Sequence, residues 1–113
     1  MPEKLPPLLL YWVLDKDGRT PVPTDNILAW ADCNDNYAQR QVAVNSKDGG
    51  DLVVSTVFFG INEELIRGAQ PSLFLCNVFR NSRQVAQRRY QTWDQAARGH
   101  REVCKEYGVE CSE

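Results

Sequence analysis

The sequence predicts an α+β domain: an antiparallel sheet of about five strands in the order β-α-β-β-β-β-α, with two helices packed on one face. Short apolar and β-branched runs separated by turn residues fill the middle of the chain. Helical patterns lie on either side of them. The middle runs are joined by links too short for the crossover helix that a parallel pair needs, so an antiparallel sheet follows and the phosphate-binding crevice of doubly wound folds does not.

Met1 to Pro7 holds three prolines and reads as an extended lead-in. Leu8 to Leu14 is an apolar run bounded by prolines and by Asp15-Lys16-Asp17-Gly18, which makes it a strand, and Arg19 to Val22 is placed to pair back on it. Thr24 or Asp25 is expected to cap a first helix carrying Ile27, Leu28, Trp30 and Ala31 and ending near Asn34. Strands are expected over Gln39–Val44, Leu52–Ile61 and Leu73–Phe79, with Lys47-Asp48-Gly49-Gly50 as a hairpin loop between the first two. The run Val53 to Phe59 is β-branched or aromatic on both parities, as in a central strand covered on both faces. The longest break is Asn62 to Pro71. Arg80-Asn81-Ser82-Arg83 forms a turn into a polar strand, Gln84–Tyr90. Thr92 then caps a helix whose Trp93, Ala96, Ala97, His100, Val103, Cys104 and Tyr107 fall on one stripe. The whole of 1–113 reads as one domain, with residues 108–113 as a mobile tail.

Of the 113 residues, 42% are hydrophobic and 25% charged, which excludes a disordered or collagen-like chain. The longest apolar run holds seven residues, against about 18 for a membrane-spanning helix. A cytoplasmic location is therefore expected, with Cys33, Cys76, Cys104 and Cys111 as reduced thiols. Net charge is -2, but residues 1–65 carry ten acids and five bases while residues 66–113 carry five acids and eight bases. Between Arg80 and Arg101 six arginines face one acid, Asp94. An anionic or acidic partner is expected at Arg80, Arg83, Arg88, Arg89, Arg98 and Arg101.

Tyr11-Trp12-Val13-Leu14-Asp15, Pro21-Val22-Pro23, Asp25 to Trp30, Val54-Ser55-Thr56-Val57-Phe58-Phe59-Gly60, Pro71-Ser72-Leu73-Phe74, Val78-Phe79, Arg89-Tyr90-Gln91-Thr92-Trp93 and Ala97-Arg98-Gly99-His100 follow one another in a telling order. In that order they resemble a family of small proteins encoded in bacteriophage and prophage genomes. The resemblance implies a genomic setting, with the host bacterial cytoplasm as location, rather than a mechanism. Relatives often carry Gly-Leu-Asp-His after the Ser-Thr-Val-Phe strand and a Glu after the Phe of the next strand. Here Gly60 is followed by Ile61-Asn62-Glu63, and Phe74 by Leu75.

No catalytic set is visible in the residues. His100 is the one histidine and lies on the apolar stripe of the last helix, so it reads as a core histidine; Cys76, its conceivable nucleophilic partner, lies in a hydrophobic strand. No cofactor is expected. No metal set is expected either, because Cys104 and Cys111 are separated by six residues without a second pair. Asp15-Lys16-Asp17-Gly18 lacks the terminal glutamate of a calcium loop, and Gly49-Gly50 lacks the lysine of a phosphate loop. The expected function is that of a small phage-type accessory protein, not an enzyme, that binds a host or phage protein, for instance in counter-defence. Homodimerisation is a further expectation. Binding of nucleotides or nucleic acid through the Arg80–Arg101 segment is the alternative, and a small enzyme the third reading.

Overall fold

Asp17 builds the first hairpin. In the computed structural model, which describes residues 11–63 and 71–111, its carboxylate accepts the Arg19 and Thr20 amides at 2.8 and 2.9 Å and the Thr20 hydroxyl at 2.5 Å. These three donors hold the Asp17 carboxyl below its ordinary range, the Thr20 hydroxyl contributing most. The turn closes β1 (Tyr11–Leu14) antiparallel on β2 (Pro21–Thr24). The partner strand thus starts two residues later than the Arg19 expected from sequence, and Leu8–Leu10 lies outside the described residues.

The first helix, α1 (Ile27–Asp35), is capped by Asn26 rather than by Thr24 or Asp25: Asn26 Oδ1 accepts the amides of Leu28 and Ala29. Thr24 acts one step earlier, its hydroxyl accepting the Asn26 amide at 3.0 Å and so setting the cap in place. Asn36 ends α1 and starts a single turn, α2 (Tyr37–Arg40), that the sequence reading missed.

Four strands follow: β3 (Gln41–Lys47), β4 (Leu52–Phe58), β5 (Phe74–Arg80) and β6 (Arg83–Tyr90), all antiparallel in the order β3-β4-β5-β6. The α+β class and antiparallel pairing are as expected. The five-stranded sheet is instead a four-stranded sheet and a separate hairpin, joined by one bridge between Tyr11 and Ile61. The cause is Gly60, which takes a φ of 79° and turns the chain out of line with β4 after Phe58. Its carbonyl accepts both the Trp12 amide and the Trp30 indole N–H, tying hairpin and α1 to the sheet end.

The last helix, α3 (Trp93–Tyr107), begins at Thr92 as expected, the hydroxyl accepting the Gln95 amide at 3.1 Å. Its stripe buries Ala96, Gly99, His100, Val103 and Cys104 against the sheet. Leu52, Val54, Cys76, Val78, Val103 and Cys104 form one core cluster; Phe58, Leu73, Phe74 and Ala96 form another, closed by Trp12, Leu14 and Trp93. Along β4, Leu52, Val54, Thr56 and Phe58 are buried while Val53, Ser55 and Val57 are only half-buried, so the expected covering of both faces is not found. Alternating β-branched residues suit a pleated surface whether or not a layer lies on each side.

Gly108, at φ 71°, ends α3 in a left-handed turn whose amide bonds back to Cys104 and Lys105. Val109 then donates to the Cys104 carbonyl at 2.8 Å and is buried. Residues 108–111, expected as part of a tail, are therefore docked, because the turn reverses the chain onto the core; Ser112 and Glu113 lie outside the described residues. Among the described residues, no helix is long and apolar enough to cross a membrane.

Candidate functional site

A cleft of about 300 Å³ runs between α3 and the edge strand β3, with Asn45, Ala97, His100, Arg101 and Cys111 in its walls. His100 is 1% exposed and Thr56 fully buried. The imidazole has a partner on each nitrogen: Thr56 Oγ1 lies 2.8 Å from Nδ1, and Asn45 Oδ1 lies 2.7 Å from Nε2. Burial first, and the Arg101 charge second, hold His100 below its ordinary range, so the ring is neutral at pH 7.

The end of α3 adds two thiols. His100 and Cys104 stand one turn apart on the buried stripe, and the Gly108 reversal returns Cys111 to them. One ring nitrogen of His100, Cys104 Sγ and Cys111 Sγ all lie within 4.8 Å of one another. Cys111 Sγ also points at Asn45 Oδ1, 3.8 Å away. Burial pushes the Cys104 thiol up to about 12, helped by Cys111 beside it. Cys76, the conceivable nucleophile for His100, is separated from it by the Thr56 hydroxyl, which bonds to both; burial pushes its thiol up as well. A Cys76–His100 nucleophile and base pair is therefore not assembled.

Counting cysteine pairs in the sequence misses this group. The available signal was the four-residue step from His100 to Cys104 on one helix; the return of Cys111 depends on a turn that spacing alone does not reveal.

The arginines are not gathered into one surface. Arg80 and Arg83 face each other across the β5–β6 turn and are exposed. Arg88 points to the α3 side of β6, where both its terminal nitrogens reach Glu106, at 2.7 and 2.8 Å. That pairing holds the Glu106 carboxyl below its ordinary range. Arg89 leaves the opposite face and pairs with Glu63 at 2.9 Å. Arg98 borders a hollow with Tyr90 and Glu102 on one flank of α3, whereas Arg101 borders the cleft on the other.

The second face of the sheet is a further candidate surface. The pairing puts Val44, Val53, Val57, Leu75 and Phe79 there, away from α3. Val44 is 46% exposed, Val53, Val57 and Phe79 are half-buried, and Leu75 is buried. Between them lie Ser55, Asn77 and Gln87, the last donating to Asn77 Oδ1 at 2.9 Å, with the Arg89–Glu63 pair at the margin. Among the described residues no helix packs on this face: α3 takes the other, and α1 packs on the hairpin.

No family model matches the chain, and none of the curated proteins or solved structures compared with it does either.

Proposed function

We propose that the chain is a non-catalytic binding module that docks a protein partner on the open face of the β3–β6 sheet. The observation that carries this reading is the row Val44, Val53, Val57 and Phe79, apolar side chains on a sheet face that no described helix covers. Apolar side chains left uncovered on one face and interleaved with polar ones suit an interaction surface. The resemblance to phage and prophage proteins supports a bacterial cytoplasmic setting and a host or phage protein as partner, a defence component among them. Enzyme chemistry draws no support from a nucleophile and base pair, since Cys76 and His100 are not set against each other. Nucleic-acid binding draws little from arginines that leave opposite faces and pair with Glu106 and Glu63.

The test compares two variants with the parent chain as bait in host lysate. Val53→Lys with Val57→Lys should abolish retention of the enriched protein at unchanged fold by circular dichroism. Reversing the charges of Arg80, Arg83 and Arg98 should leave it. The opposite outcome would return the partner to the arginines, and size-exclusion of the lysine variant separates loss of a partner from loss of a homodimer.

A further inference from the structure

The His100, Cys104 and Cys111 group is independent of the open sheet face and has its own chemistry. Its residues come from one short stretch: the helical step sets His100 above Cys104, Gly108 reverses the chain, Val109 anchors the return in the core, and Cys111 arrives beside the other two. Tetrahedral zinc, with bonds of about 2.3 Å to sulfur and about 2.0 Å to nitrogen, sets its ligand atoms about 3.5–3.8 Å apart. The three atoms already lie within 4.8 Å. Small rotations about the side-chain bonds close that gap.

We propose that His100 Nε2, Cys104 Sγ and Cys111 Sγ bind one thiophilic divalent cation of the zinc type, with the fourth coordination position facing the α3–β3 cleft. Two features of the surroundings fit this. Two thiolates and a neutral imidazole cancel the charge of a dication, which a buried site requires. Thr56 takes the other ring nitrogen at 2.8 Å and fixes the ring orientation, the part usually played by a second-shell partner of a metal-bound histidine. Asn45 Oδ1, 2.7 Å from Nε2 and 3.8 Å from Cys111 Sγ, occupies the point at which both ligands are aimed and must swing aside to leave that point to the cation. On binding, Cys104 and Cys111 each lose a thiol proton to solvent through the cleft, and the ring proton passes from Nε2, where Asn45 Oδ1 accepts it, to Nδ1, which donates it to the Thr56 hydroxyl. A Cys104–Cys111 disulfide is the competing use of the same sulfurs. It leaves the convergence of His100 unexplained.

The test uses the reduced full chain and cobalt(II) alone, then zinc(II) in competition with a chromophoric chelator. One equivalent of cobalt should bind with a thiolate charge-transfer band and the intense visible bands of tetrahedral geometry, both bleached by zinc. Cys111→Ser, at a half-buried position, should lower zinc affinity by about 100-fold or more. Cys33→Ser should leave it unchanged. Zinc should raise the melting temperature of the parent chain and not of Cys111→Ser. Absence of the charge-transfer band in the reduced parent chain would overturn the proposal. So would a band that survives in Cys111→Ser, or a Cys104–Cys111 disulfide in protein exposed to air with zinc present.

Discussion

Replacing Thr56 by Val removes one buried hydroxyl, which His100 and Cys76 share. Valine keeps the shape of threonine and exchanges the hydroxyl for a methyl, so no cavity opens at a position with no solvent exposure. What changes is His100: its Nδ1 loses the partner 2.8 Å away, and at 1% exposure the ring has no access to replacement water on that side. Leaving a buried polar atom unsatisfied costs about 1–3 kcal/mol. For a domain of this size each kcal/mol moves the melting temperature by about 4–5 °C, so Thr56→Val should melt about 5–15 °C lower. Urea unfolding in the presence of a chelator reads the same loss as a lower midpoint at unchanged slope. A free-energy change below about 0.5 kcal/mol would refute the reasoning, since it would mean that the bond contributes no more than an ordinary surface contact.

Stability should fall in acid for a related reason. His100 is held neutral in the folded chain, mainly by burial, whereas in the unfolded chain it takes up a proton below about pH 6.5. The unfolded state therefore binds more protons between its own pKa and the lowered folded one; stability is complete above about pH 7 and declines as pH falls through that window. Urea midpoints from pH 8 to 5 check this, and His100→Gln should flatten the profile. Gly99→Ala sets a Cβ into the Tyr90 ring, with Cε1 only 2.6 Å away, so either Tyr90 leaves the core or the helix shifts; a loss of about 1–3 kcal/mol in thermal unfolding is expected. Gly108→Ala forces an L side chain into a φ of 71° and should cost about 1–2 kcal/mol. It should also weaken cobalt binding, because the turn delivers Cys111.

Much of α3 was legible in the sequence, since its cap, its stripe and the burial of His100 all follow from residue spacing on one helix. The strands were legible as runs, because β-branched residues and turn chemistry are local. Their assembly was not: whether β1 joins the sheet is decided by the left-handed φ of Gly60, and a lone glycine does not announce which way it bends the chain. Asn26 displaced Thr24 and Asp25 as cap because three neighbouring residues were all chemically able to serve. The candidate metal site was half legible, through His100 and Cys104, while Cys111 and Asn45 reach it through a chain reversal and a strand register. The open sheet face was misread because residue type reports the pleat and not the layer above it.

The position of α3 in the chain also bears on how the protein is made. The four strands are synthesised before the helix that covers them, and at about 5–20 residues per second the 15 residues of α3 take about 1–3 s to add. Until α3 is in place, Leu52, Val54, Phe58, Phe74 and Val78 have no helix to pack against. Vectorial synthesis thus leaves the strands exposed to aggregation and to chaperones at their most apolar stage. A message truncated just before Thr92 should yield insoluble product, whereas α3 supplied as a separate peptide during translation should restore soluble sheet.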